Sequence, residues 1–356
     1  MYRKKLNKLK EFSVYRGEYE AKMDQNEIPF NLPDKIKDEI VERFYKVNLN
    51  RYTDLEEFNK LKKKISRYAG VEKKKIAIGA GADTLIHTLI EVFGINNGKV
   101  LSFEPSYPIY NIFSIINGVA AVQSELVPDT FSIDRDDFLQ KIEDIKIIFI
   151  TYPNNPTGNL FDQKFLLKTI KNNQDKIFVI DEAYYEFAKK SFVNYMDKFK
   201  NIIILRTFSK YFSVPSMRIG YMIASPEYVE LVEKCQFMPD NVALMSLITA
   251  GVLLNNNSLL SKNRDFIIDE RERLYNEIKK MDSFNPCSSE TNFIFIKETN
   301  NKNISKYLYR NKIFVRDFSR SESLKGYFRI TVSTQKENNL LLKKLKEWNR
   351  KKMGDV

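Results

Sequence analysis

The sequence predicts an α/β fold: a mostly parallel central sheet flanked by helices, with a smaller α+β domain beside it. Three observations carry that expectation. Short apolar runs alternate with longer amphipathic stretches through the middle of the chain, the pattern changes after about residue 240, and the unusual residues fall just after the apolar runs. Such alternation is how a parallel sheet with crossover helices is written. With 356 residues, 43% of them hydrophobic, the chain has material for one large core and one smaller core.

In order, the strand candidates are IAI (76–78), VLSF (100–103), VAAVQ (119–123), IKIIFIT (145–151), KIFVI (176–180), NIIILRT (201–207) and GYMIA (220–224). Beyond about residue 240 comes a helix-rich stretch, then TNFIFIK, KIFVRDF and YFRITVS as strands of the smaller unit, and KENNLLLKKLKEWNR as a closing amphipathic helix. Ligands of open α/β sheets bind outside the carboxyl ends of the strands. Gly81, Tyr107, Asn155, Asp181 and Lys210 each follow a strand candidate, so one crevice is expected to collect them.

Composition narrows the function classes. The formal charge of +12 could attract polyanions, but the lysines are spread along the whole chain and no basic stripe interleaved with aromatics occurs, so a solvated surface is expected rather than a nucleic-acid site. No apolar run is long enough to span a bilayer, and MYRKKLNKLKEFSVYRGEY lacks the apolar core of a secretory signal, which together point to a cytoplasmic protein with no membrane partner. Cys235 and Cys287 stand far apart and no Cys/His cluster has ligand spacing, so two reduced thiols and no metal are expected.

Each motif has a plain reading beside a chemical one. IAIGAGADTLIHTLI passes from a strand through a glycine turn into a helix, whose first backbone amides could cradle a phosphate or simply start a helix. As a dinucleotide fingerprint it lacks the third glycine, because position 84 is Thr84; Glu104 does lie where a ribose-binding acid would. TYPNNPTGN is a tight turn that presents the Asn155 amide, or a turn and nothing more. Asp181, ending an apolar strand, is a helix cap or a buried carboxylate in need of a cation. Lys210 alone is one lysine among many. Held in an apolar crevice near other cations, it would have a lowered pKa and could form Schiff bases with carbonyl compounds.

Taken together, GAGAD, PSYPIY, NNPTG, DEAYYEF, TFSKYFSVPSMRIGY and FRITVS, in this order and spacing, resemble the class I/II aminotransferases of pyridoxal-5′-phosphate (PLP) fold type I, and within them the histidinol-phosphate aminotransferase branch. The resemblance runs from about Asp24 to Ser333. It implies that Lys210 carries PLP as a Schiff base and moves the proton at the substrate α-carbon, that Asp181 pairs with the pyridine nitrogen, and that Tyr107 stacks on the ring. It implies further that Asn155 and Tyr184 bond the ring hydroxyl. The phosphate would lie among the Ala82 and Asp83 amides, Thr207, Ser209 and Arg218, with Tyr52 reaching in from the partner of a homodimer.

Arg316 and Arg329 match the branch's two arginines for substrate anions, with Arg329 on the α-carboxylate of a glutamate-type donor and both meeting a substrate phosphate; Arg suits bidentate recognition of either group. Either could instead be a surface ion pair. The branch reads NENPYG near its N-terminus where this chain reads NEIPFN, so Phe30 stands at a substrate-site position that usually holds a phosphate-binding tyrosine. That removes one donor to a substrate phosphate or head group and leaves the acceptor open. The expected organisation is an N-terminal segment (1–49) joining the small domain and the dimer interface, a large PLP-binding domain (50–240) and a small α+β domain (241–356).

The reading that follows is amino transfer between an amino-acid donor, glutamate in the first instance, and a small phosphorylated carbonyl or amine compound. Decarboxylation of an O-phosphorylated amino acid is the alternative within PLP chemistry, since PLP cleaves whichever α-carbon bond stands perpendicular to its ring. An NAD-dependent oxidoreductase is disfavoured by Thr84, and a nucleic-acid-binding module by the even spread of charge.

Overall fold

The structure, a computed structural model, describes residues 6, 7, 9, 17–94, 98–238, 241–300 and 302–350. The opening stretch read for a secretory core lies for the most part outside them, as does residue 240, where the expected domain boundary falls. Among the described residues the strands form two sheets. The first strand, β1 (Ala21–Met23), belongs to the smaller one. The larger is built from β2 (Ile76–Gly79), β3 (Lys99–Glu104), β4 (Ala120–Glu125), β5 (Ile147–Thr151), β6 (Ile177–Asp181), β7 (Ile202–Thr207) and β8 (Gly220–Ile223). Their order is β2-β8-β7-β6-β5-β3-β4, and every pairing is parallel except the two made by β8. These are the seven runs read from the sequence, with ends displaced by one or two residues.

The sheet is covered on both faces. Ile148, Ile150, Phe178, Ile180, Ile202 and Ile204 join one hydrophobic cluster, whereas the alternate residues Ile147, Phe149, Ile177, Val179, Ile203 and Leu205 join another. Successive side chains of a strand point to opposite faces, so burial of both faces demands the continuous apolar runs seen in β5, β6 and β7. The helix Ala82–Gly94 packs into the second cluster through Leu85, Ile86, Leu89 and Ile90. The helix Leu55–Ala69 starts where the Asp54 side chain accepts the Glu56 N–H and stops at Gly70, whose φ of 69° is left-handed.

The smaller sheet contains β9 (Phe284–Pro286), β10 (Phe293–Glu298), β11 (Ile313–Asp317) and β12 (Tyr327–Thr331), in the order β1-β11-β12-β10-β9. It is antiparallel apart from the β1–β11 pair. β10, β11 and β12 were legible as apolar runs. β1 and β9 were not, because three residues are too few to display a period of two. Of the helix-rich stretch after residue 240, Leu244–Asn255 packs on both Asp34–Tyr45 and Leu55–Ala69, while Asn257–Lys279 packs along the closing helix Gln335–Arg350. No helix among the described residues is long and apolar enough to cross a membrane.

Several contacts hold the small sheet over the carboxyl ends of the large one. Phe131 packs edge-on against Phe295 and Tyr327, each at 5.6 Å between ring centroids, and beside it the Asp129 carboxylate accepts from Lys297 Nζ (2.8 Å) and Tyr327 OH (3.0 Å). The turn after β5 meets the segment before β10, where the Glu290 N–H donates to the Gly158 carbonyl at 2.8 Å. The space left between them is the site.

Candidate active site

A cavity of about 290 Å³ opens where β3, β5, β6 and β7 end, closed from above by residues of the small sheet and the 24–27 segment after β1. Tyr107, Asn155, Asp181 and Lys210 all line it, as do Ala82, Asp83, Thr207, Ser209 and Arg218. Gly81 stands just behind the lining with φ +91°, and a Cβ there would come within 2.8 Å of Arg218 Nη2. Glycine therefore meets two needs, a left-handed backbone and room for the guanidinium. Ala82 and Asp83 open their helix, so their N–H groups have no intrahelical partner and face an anion-receptive end. Arg218 reaches the same end, its Nη2 donating to Asp83 Oδ2 at 3.1 Å.

Lys210 Nζ donates to the Gln25 carbonyl at 3.1 Å. Burial pushes the amine down to about 8, with Arg329 acting in the same direction and Glu27 and Asp83 opposing. A lysine in this state carries a sizeable neutral fraction near neutral pH, which an exposed lysine does not.

Asp181 is 3% exposed at the end of β6. Burial raises its carboxyl to about 6, and two donors oppose that: Tyr110 OH at 2.7 Å on Oδ2 and the Ala183 N–H at 3.1 Å on Oδ1. Tyr184 follows at 3% exposure; its hydroxyl accepts from Asn26 Nδ2 at 2.8 Å and so keeps its own proton to donate. Tyr107 donates to Asp83 Oδ1 at 3.0 Å.

The two arginines are thirteen residues apart in sequence and directly opposite in space. Arg316 of β11 is the register partner of Arg329 of β12, and opposed residues of antiparallel strands share a face. Both line the cavity. Arg329 Nη1 donates to Asn155 Oδ1 at 2.5 Å and Nη2 to the Asp24 carbonyl at 2.9 Å, while its buried Nε has no hydrogen-bond partner among the described residues. Its guanidinium lies 5.1 Å from the Phe293 ring centroid. Burial lowers its pKa to about 10, and the Arg316 charge works the same way. The bond from Arg329 uses the acceptor of the Asn155 amide, which leaves that amide its N–H donors.

Two of the candidates lie elsewhere. Phe30 was read as a substrate-site position, but it does not line the cavity; its ring packs edge-on against Phe266 at 5.3 Å, where an apolar side chain buries more of itself. Tyr52 is 88% exposed and takes no part in the cavity of its own chain. Residues the sequence did not signal include Gln25, Asn26 and Glu27 from the segment after β1, and Tyr110, in the first turn of the helix that starts just after Tyr107. NEIPFN was the only hint for the first group, and nothing in PSYPIY distinguished the second tyrosine from a core residue.

The family model described as aminotransferase class I and II matches residues 20–345. A histidinol-phosphate aminotransferase of Ruminiclostridium cellulolyticum is 36% identical over 338 residues, 94% of each chain. The structure of a histidinol-phosphate aminotransferase from Clostridium acetobutylicum superposes with a TM-score of 0.85 at 27% identity, covering 93% of this chain and 99% of that one. A further neighbour, from Sinorhizobium meliloti and solved in complex with PLP, has a TM-score of 0.84 at 22% identity and covers 98% of both chains.

Proposed function

The chain belongs to the class I and II aminotransferase family, and from that premise we propose that it binds PLP through Lys210 and moves an amino group between glutamate and a small phosphorylated carbonyl compound. The observation that carries the reading is one cavity holding a partly neutral lysine, a buried carboxylate lacking a cation, and two arginines on a shared face. The residues fit the cofactor: Asp181 has donors on both oxygens yet no cationic partner among the described residues, which a pyridinium nitrogen would supply. Bound PLP supplies an electron sink for the pair released at the substrate α-carbon.

The chain's own residues would then divide the work. Asp181 would keep the ring nitrogen protonated, and Asn155 and Tyr184 would donate to the ring hydroxyl. The Ala82 and Asp83 amides, Thr207, Ser209 and Arg218 would hold the phosphate. Tyr107 would pack against the ring. Lys210 Nζ takes the proton from the substrate α-carbon as a general base. Arg329 orients the substrate by its carboxylate, and Arg316 beside it adds the charge a substrate phosphate requires.

The pH dependence follows from the lysine. Only the neutral amine attacks a carbonyl, and its fraction rises as pH rises through the pKa. The rate of PLP capture by the cofactor-free protein is expected to climb with a midpoint near pH 8 and to level off about one to two pH units above it. A midpoint near 10.5, the ordinary lysine value, would contradict the assignment. For the arginine, Arg329→Lys exchanges a fork of donors for a point charge and is expected to raise the donor KM by about 30-fold, the equivalent of one charged hydrogen bond, with a smaller change in kcat. An unchanged KM would remove Arg329 from the substrate site.

The homodimer belongs to the same proposal. Val41, Tyr45, Leu49, Tyr52 and Leu55 are all exposed within one short stretch, an apolar run that a second copy would cover while inserting Tyr52 into its partner's site. A cytoplasmic location is part of the same reading. The decarboxylase alternative has less support, because relatives above 30% identity over nearly their whole length bear the name of an aminotransferase. The test of the function is 2-oxoglutarate release from glutamate that depends on a phosphorylated ketone, screened across a panel. Carbon dioxide release without ketone consumption would replace it with the decarboxylase.

A further inference from the structure

We propose that Tyr110 is a positioning residue for the reaction, acting through Asp181 to fix that carboxylate's orientation and to keep its charge available to the cofactor ring. The inference rests on the assignment of Asp181 to the pyridine nitrogen. Tyr110 is fully buried, its ring stacked on Phe149 at 4.6 Å with planes 11° apart, so the hydroxyl has one fixed location. There it meets two groups, Asp181 Oδ2 at 2.7 Å and Thr151 Oγ1 at 2.9 Å. An ionised carboxylate only accepts, so the tyrosine proton must lie toward Asp181, and the Tyr110 oxygen is left to accept from Thr151. Donation by Thr151 polarises the tyrosine hydroxyl and strengthens its bond to the carboxylate.

Thr151 ends β5, so its bond to Tyr110 ties that strand end to Asp181. Thr151 Oγ1 also lies 3.0 Å from Ser106 Oγ, but Ser106 donates its proton to Asn154 Oδ1 at 2.9 Å, so no hydrogen bond joins the two hydroxyls. Asn154 Nδ2 donates to the Pro105 carbonyl at 3.0 Å, and these two bonds tie the turn after β3 to the turn after β5. With the Ala183 N–H on Oδ1, the carboxylate is gripped at both ends and cannot rotate without breaking a bond.

The charged and titratable groups around Asp181 define what a titration would read. They include Asp83 from the helix above, Tyr107 and Tyr110 after β3, Tyr184 after its own strand, Glu182 on the opposite face, and Lys210, Arg218 and Arg329 of the same cavity. Asp83 and Glu182 favour the protonated acid, as burial does; Tyr110 and the Ala183 amide favour the carboxylate. Removal of the Tyr110 hydroxyl leaves only the amide on that side of the balance. The carboxyl should then hold its proton to higher pH.

The test uses pyridoxamine 5′-phosphate, whose amine cannot bond covalently to Lys210, and measures its release on dilution of the loaded enzyme across pH. For Tyr110→Phe the acid limb of the affinity is expected to move up by about one pH unit, with binding about tenfold weaker below the parent's limb, a deficit that shrinks between the two limbs and vanishes above them. Thr151→Val should shift the limb in the same direction by less. Asp181→Asn should abolish the limb. A limb that stays in place in Tyr110→Phe overturns the proposal, even if the melting temperature falls, because a purely structural tyrosine would weaken binding equally at every pH. If Tyr110→Phe does not fold, Thr151→Val decides: an upward shift supports the proposal and no shift overturns it. Retention of the parent limb by Asp181→Asn would instead overturn the Asp181 assignment beneath it.

Discussion

Replacement of Lys210 by alanine is expected to abolish the visible absorption of bound PLP and to lower kcat/KM by about 10⁴-fold or more, the scale on which a positioned acid–base group contributes. The fold should survive, because the side chain's one hydrogen bond among the described residues is to the Gln25 carbonyl, and Gln25 sits beside the cavity rather than in the core. Circular dichroism and thermal melting of the variant separate loss of chemistry from loss of structure. A variant that keeps both the absorption and the turnover would place the reaction elsewhere.

Arg206→Met is expected to destabilise the protein by about 3 to 5 kcal/mol, the usual cost of leaving one member of a buried ion pair without its partner. Arg206 is 2% exposed and Glu182 0%. The guanidinium reaches Glu182 Oε2 through Nε at 3.0 Å and Nη2 at 2.8 Å, donates to Ser191 Oγ at 3.0 Å, and lies over the Tyr185 ring at 3.7 Å. Glu182 also takes the Phe192 N–H at 2.7 Å, and buried Glu186 nearby takes the Tyr68 hydroxyl at 3.0 Å. The pair locks β6 to β7 one residue beyond Asp181 and one residue before Thr207, on the face turned away from the cavity. From the unfolding entropy of a chain this long, the melting temperature should fall by roughly 5 °C. The double variant with Glu182→Gln should lose less than Arg206→Met alone, since one buried charge fewer is then stranded. A melting temperature unchanged in the single variant would mean that the pair contributes nothing.

The parts of this molecule that were legible in the sequence share a physical cause. β5, β6 and β7 had to be written as unbroken apolar runs because both faces are covered, and the residues that follow them stood out against that background: Asn155, Asp181 and Lys210. Tyr110 carried no such contrast. It sits on a helix three positions after Tyr107, and its partner Asp181 is 71 residues away, so only the fold brings them together. Asn26 and Gln25 were hidden for the same reason, reaching Tyr184 and Lys210 from a segment anchored by a three-residue strand. Arg206 and Glu182 were invisible in a different way, since a single charged residue at a strand end reads as solvated surface until its neighbours close over it. Arg316 and Arg329 were read as a pair through resemblance; the register of β11 against β12 supplies the geometric reason for their spacing. Phe30 shows the limit of transferring a position, because the partly buried phenylalanine packs against Phe266 at the edge of the core and does not line the cavity.

The assignment of Lys210 is tested most directly by locating the bond itself. Borohydride reduction of the PLP-loaded protein, followed by digestion and mass spectrometry, should find the phosphopyridoxyl group on the peptide containing Thr207, Ser209 and Lys210, attached at Lys210. The group on any other lysine of this lysine-rich chain, or no stable adduct at all, would contradict the account.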